Sequence, residues 1–498
     1  DEIPLISGGI PVGEWRQEQE TLVSADLPPQ TFRQLYVNGK RAIRAREPDQ
    51  GAYYRLKDWH IPDRKIRVSA EQIRRWHRFN RVEMIAHLHW AEAIMRLQDV
   101  EQEGEDALIT VQEPERHLVF LRDYPIKAPD EPYHFENAFE FLDQPGEWYL
   151  NEDAGRLYYK LCSDETAAHL TVVAPQLPTL FHVAGDSNRL VENLEFQGLR
   201  FQYTNWTRPG QKGHLTLQAF QYTIDPTVNN TQYVGRPPAA VYVRLAKNVV
   251  FKENVFQHLG ATALDLHYGT EHCQVIGNVF SDISGNGIAL AKYTDPDERI
   301  HVPFLPETDC EISRYDQIEN NYLEKTGQDY YGAVGIACGY PQNVLIEHNE
   351  LFDMPYTGIS IGWGWTKGES AMKENVIRCN HIHHVANLLA DGGGIYTLSR
   401  QPGSVIRENY IHHIVISEWA VGSAVNGVFM DEGTDGYTCE HNIIQHTPAG
   451  AFRFHRTGTL VFKNEGITSD PAVMENAGLT PDYAHIKAWM NKPENEMP

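Results

Sequence analysis

ENVFQHLGATALDL (residues 253–266) and GNVFSDISGNGIAL (277–290) are two copies of one pattern. Each opens on an asparagine followed by apolar residues, turns at a glycine and ends on an alternating run. HNELFDMPYTGISI (348–361) and HNIIQHTPAGAFRF (441–454) repeat it. CNHIHHV (379–385) with GGGIYTL (392–398), and ENYIHHI (408–414) with NGVFMDE (426–432), carry it in stretched form. The marker asparagines are Asn254, Asn278, Asn321, Asn349, Asn380, Asn409, Asn442 and Asn464. The tightest intervals, 24 residues from Asn254 to Asn278 and 22 from Asn442 to Asn464, are too short for a helical-hairpin repeat. They fit one coil of a parallel β-helix.

The alternating runs align. Their first inward position reads Leu264, Ile288, Ile336, Ile359, Ile395, Val428 and Phe452. The third reads Leu266, Leu290, Cys338, Ile361, Thr397, Met430 and Phe454. A period of two puts these on one face and the second and fourth positions on the other. The fourth position includes His267, Asp431 and His455. The asparagines are expected to stack as an internal ladder that satisfies turn amides.

In the tight coils the marker asparagine precedes the first inward position by ten residues, as from Asn254 to Leu264. Before Ile336, Ile395 and Val428 the gap is longer. The extra residues, TGQDYYGAVG, LLADGGG and ISEWAVGSAVNG, fall before the same strand each time. Insertions in a solenoid gather on one face, often the binding face. Asp391 lies in the second insertion, directly before three glycines that let the chain fold back. Asp431 stands at the fourth position of the next coil, followed by Glu432. Two carboxylates at a groove suit glycoside hydrolysis, one protonating the leaving oxygen and the other attacking or activating water. Trp363 and Trp365, in GISIGWGW (358–365), offer ring faces for sugar C–H groups. Tyr396, Arg453 and His455 are candidates to hydrogen-bond hydroxyls. His381, His383, His384, His412 and His413 recur at one coil position, which favours repeat packing over a metal site.

The formal charge is −24, from 43 basic and 67 acidic residues. That disfavours a nucleic-acid partner and an anionic membrane surface. No apolar run reaches the roughly 18 residues of a membrane span. Aromatic residues make up 11% of the chain, which suits flat ligand faces such as sugar rings. The six cysteines form no CxxC pair and read as free thiols. PGEWYLNEDAGRLYYKL (145–161) reads as a hairpin inside an all-β stretch.

With these residues in hand, the chain resembles bacterial right-handed β-helix glycosidases. The runs that carry the likeness are FRQLYVNGKRAIRAR (32–46), EFLDQPGEWYLNEDAGRLYY (140–159), GISIGWGW, DGGGIYTL (391–398) and GVFMDEG (427–433). The nearest family is glycoside hydrolase family 141, known for α-L-fucosidase and xylanase activities; family 120 β-xylosidases are more distant. The resemblance implies that Asp391 and Asp431 carry catalysis. In the more distant xylosidases the nucleophile falls on Asp431, while their acid glutamate falls near Phe454 and His455, where this chain has no carboxylate. That leaves Asp391 as the acid.

The expectation is therefore an all-β, right-handed parallel β-helix with an inserted β-rich, sandwich-like module. N-terminal coils are expected over 1–40, the module over 41–180, the helix with its groove over 181–470 and a tail over 471–498. The function expected is a glycosidase acting on a plant or microbial polysaccharide or oligosaccharide. Its catalytic residues would be Asp391 and Asp431, and its substrate contacts Trp363, Trp365, Tyr396, Glu432, Arg453 and His455. No cofactor or catalytic metal is expected, although structural calcium is compatible. The partner is carbohydrate, and a secreted or periplasmic location is favoured. Two alternatives are a polysaccharide lyase on a uronic-acid polymer, with Lys292 or Arg453 as base, and a non-catalytic carbohydrate-binding β-helix.

Overall fold

The structure is a computed structural model of the chain. It describes residues 4–491 apart from residues 123, 126, 227–231, 297, 465 and 467.

Three nine-stranded parallel sheets wind into a right-handed β-helix. The first runs from Leu5–Ser7 to Ile443–Gln445, the second from Phe181–Ala184 to Phe452–Phe454, and the third from Glu195–Gln197 to Val461–Lys463. In the second sheet Leu264, Ile288, Ile336, Ile359, Ile395, Val428 and Phe452 are register partners in that order. All but Phe452 are fully buried. Phe452 and Phe454 close the sheet and stay partly exposed because no later strand of that sheet covers them. In the first sheet Phe201, Phe256 and Phe280 stack with ring centroids 4.7–4.8 Å apart, which matches the spacing of neighbouring strands.

Each tight turn from the third sheet into the first uses one left-handed residue followed by a marker asparagine. Glu253, Gly277, Asn320, His348, Cys379, Glu408 and His441 take that conformation. The bend turns backbone amides inward, where water cannot reach them. The asparagines answer this with an unbroken ladder from Asn254 to Asn464. The Oδ1 of each accepts from both the backbone N–H and the Nδ2 of the one before, at 2.8–3.2 Å. Asn254 through Asn442 are fully buried, so each hydrogen bond replaces an otherwise orphaned donor.

The expected boundary at residue 40 is not where the strand pairing changes. Leu5–Ser7 joins the first sheet against Arg200–Gln202. Gly9–Val12 then pairs with Val172–Pro175, and Leu22–Asp26 with Arg156–Lys160. The strands from Arg46–Glu47 to Pro132–Glu136 belong to an antiparallel sheet built on Glu83–Leu88, Ala91–Glu103 and Asp106–Val111. Their core holds Trp59, Trp76, Phe79, Phe135 and Phe141. The first coil insertion packs under this module: Tyr330 is fully buried and Tyr331 lies edge-on to His87. At the other end of the chain, Ile486 and Trp489 of the turn-rich Pro481–Asn491 cover Val255 and Val279 of the first sheet. Among the described residues no helix is long and apolar enough to cross a membrane.

Candidate active site

The second sheet ends in a cavity of about 530 Å³. The strands Gly393–Thr397, Asn426–Met430 and Phe452–Phe454 form its floor. Asp431 follows the second of these and is 8% exposed. Its Oδ2 accepts a hydrogen bond from the Tyr396 hydroxyl at 2.5 Å, and its Oδ1 lies 2.7 Å from His455 Nδ1. Burial pushes its carboxyl above the usual carboxylate range. Tyr396 and His455 oppose that shift, and the negative charge of Asp391 adds to it.

Asp391 precedes the first floor strand, and the backbone rather than strand register turns it into the cavity. It is itself left-handed, with φ of 56°. The sequence assigned the fold-back to the glycines, but Gly393 serves close approach instead. A Cβ there would lie 2.4 Å from the Asn426 carbonyl oxygen. The Tyr356 hydroxyl donates to the Asp391 carbonyl at 3.1 Å. Arg453 Nη1 donates to Asp391 Oδ1 at 2.8 Å, while its guanidinium lies 4.1 Å over the Phe429 ring. Arg453 and His455, two residues apart on the last coil, thus each hold one of the two aspartates.

Trp365, Glu432, Tyr396, Arg453 and His455 all line the cavity. Trp365 presents a half-buried ring beside Tyr396 and Phe429. Glu432 pairs with Arg456 at 3.2 Å. Tyr396 is 3% exposed and its hydroxyl is committed to Asp431, so it orients a carboxylate rather than contacting sugar through that group. Trp363 departs from expectation. It is fully buried, donates from Nε1 to Thr294 Oγ1 at 2.7 Å and meets Tyr293 edge-on. The sequence reading offered it as a sugar-facing ring between two glycines. They are required instead by left-handed backbone, with φ of 106° at Gly362 and 94° at Gly364. Lys292 pairs with Asp295 and does not line this cavity.

The sequence reading missed the opposite wall. His89, Trp90 and Arg122 come from the module, and Gln218 from the segment docked on it. His89 and Trp90 form the tip between Glu83–Leu88 and Ala91–Glu103. Trp90 Nε1 donates to the Leu217 carbonyl at 2.9 Å. Ala390 N–H donates to the His89 carbonyl at 2.8 Å, so the module grips the loop that carries Asp391. The only local signal was LHWAE, a polar and aromatic tip between apolar strands. Nothing in its spacing relates it to residues three hundred positions later.

Residues 22–161 match a family model described as the GH141 insertion domain. A solved structure described as "Glycoside hydrolase" superposes with a TM-score of 0.89 at 32% identity, over 97% of this chain and 86% of that one. The chain belongs to the glycoside hydrolases. The glycosidase is also matched by the complex of XylC with xylose, at a TM-score of 0.44 and 10% identity, over 90% of this chain and 59% of that one. No curated protein matches the chain.

Proposed function

We propose that this glycosidase cleaves a terminal neutral sugar from a plant or microbial glycan, of the α-L-fucoside or xyloside type, with Asp391 and Asp431 as its two catalytic carboxylates. The observation that carries the reading is their arrangement. Both aspartates line one cavity, and neighbouring residues of a single coil hold them in unequal electrostatic settings. A cavity of about 530 Å³ walled on one side by the module suits the end of a glycan. Trp365 supplies the ring face, and Glu432, His455, His89 and Gln218 supply polar groups in the lining.

The unequal settings divide the labour. Asp431, buried and raised, is the carboxyl that holds a proton for the leaving oxygen. Asp391, held by Arg453 at 2.8 Å, is the nucleophile or base. This reverses the division implied by the resemblance to the xylosidases. A screen of nitrophenyl glycosides and oligosaccharides, followed by proton NMR of the first-formed anomer, identifies the sugar and the stereochemistry. Asp391→Asn and Asp431→Asn should each lose at least about a hundredfold in turnover with the fold intact. Full activity in either variant removes that residue from the reaction. With an activated aryl glycoside, azide should convert Asp391→Asn to a glycosyl azide of inverted anomeric configuration if Asp391 is the nucleophile, and Asp431→Asn to one of retained configuration.

A further inference from the structure

On the first sheet, remote from the catalytic floor, the outward residues of successive coils form a ladder of imidazoles. His383 stacks on His412 with centroids 4.9 Å apart, His384 on His413 at 4.8 Å, and His413 on His446 at 4.3 Å. Stacking is what the repeat predicted. What the repeat did not predict is a carboxylate within reach. Glu350 is the register partner of His381, and donor atoms of Glu350, His381 and His383 lie within 4.8 Å of one another.

We infer that Glu350, His381 and His383 form a binding site for one divalent transition-metal ion of the zinc class. Two imidazoles and a carboxylate are a donor set that such ions favour, with bonds of about 2.0–2.2 Å. Three protein ligands leave the remaining coordination positions to water. The hydrogen-bond pattern leaves a lone pair on each ring. His381 Nε2 lies 2.8 Å from His412 Nε2, and His412 Nδ1 lies 2.6 Å from His413 Nδ1. With each neutral ring donating to the next, His381 keeps Nδ1 free as an acceptor. His383 Nδ1 is likewise shared with His384 Nδ1 at 2.9 Å, which frees its Nε2. His412 and His384 then orient the two ligand rings, as outer hydrogen-bond partners do in metal sites.

The tail leaves room at this place. Gly478 passes over the site with φ of 88°. A Cβ there would lie 3.6 Å from Glu350 Oε2 and 3.7 Å from His381 Nδ1, so glycine keeps the space between these two donors clear of a side chain. The Gly478 carbonyl is held 3.0 Å from His348 Nδ1, and Lys487 pairs with Glu350. Lys487 is the resident counter-ion that an arriving metal would displace from the carboxylate.

The test uses full-length enzyme without a histidine tag, stripped with chelator and titrated with Zn²⁺ and Co²⁺. One equivalent is expected to bind by calorimetry, with Co²⁺ developing visible ligand-field absorption. Glu350→Gln and His383→Ala should each abolish the saturable site, whereas His412→Ala should weaken it about 10- to 100-fold. His446→Ala, at the far end of the ladder, should leave binding intact. Hydrolysis by the stripped enzyme should equal that of the loaded one, which separates this site from the catalytic reading. Circular dichroism and the melting temperature of each variant confirm that a lost signal is not a lost fold. Absence of stoichiometric binding in the wild type, or undiminished binding in both Glu350→Gln and His383→Ala, overturns the inference.

Discussion

Removal of one oxygen, in Tyr396→Phe, tests the division of labour between the two aspartates. The Tyr396 hydroxyl donates to Asp431 Oδ2 at 2.5 Å, inside a wall where both groups are buried. A hydrogen bond to a charged acceptor contributes about 1.5–3 kcal/mol. That bond favours the ionised carboxylate, so its loss raises the Asp431 pKa. At about 1.4 kcal/mol per pH unit the rise is about 1 to 2 pH units. The phenylalanine ring keeps its edge-on contact with Phe429, whose centroid is 5.2 Å away, so the floor should hold its shape. The assay is kcat/KM against pH, which reports the groups of the free enzyme. If Asp431 must carry a proton, the alkaline limb moves upward by that amount while the acidic limb stays. If Asp431 must be ionised, the acidic limb moves upward instead and activity near pH 5 falls. A shift confined to the acidic limb refutes the assignment of Asp431 as acid. A profile unmoved on both sides refutes the coupling of Tyr396 to the reaction.

Trp363→Ala should lower stability by about 3–5 kcal/mol with little change in KM, because the ring is core and not a sugar platform; denaturant midpoints and Michaelis kinetics check both halves. Asn349→Ala removes the acceptor of the Asn321 N–H and Nδ2 and the donor to the Ile318 carbonyl. A loss of about 3–5 kcal/mol in chemical denaturation is expected, larger than for a typical surface change. Burial raises Glu131 from 4.5 to about 8 in the folded protein. Between those values the folded state holds a proton that the unfolded chain has released, so stability falls as pH rises through that window and levels off above it. Glu131→Gln should flatten that fall, and parallel unfolding curves at pH 5 and pH 8 with the same slope difference as wild type would count against it. Trp90→Ala should raise KM or lower kcat through the loop that holds Asp391, although the residue lies far from both aspartates in sequence; unchanged kinetics would detach the module from the site.

The sequence by itself determined the solenoid. A repeat whose tightest intervals are 22 and 24 residues, a period of two in the strands and one marker asparagine per coil leave little freedom, because every coil must bury the same face against its neighbours. The same regularity exposed Asp391 and Asp431, since departures from a repeat stand out. Tertiary structure decided what the repeat cannot encode. Asp391 reaches the cavity through one left-handed residue and a hydrogen bond from the adjacent loop residue to a hairpin of the module, interactions that span about three hundred residues and have no period. Trp363 and Trp365 are two positions apart, yet one is core and the other lines the cavity, because the turn between them is set by what lies beneath. The raised carboxyl of Asp431 depends on burial and on Tyr396, His455 and Asp391 around it, and those are properties of the folded space around a residue and not of its place in the chain.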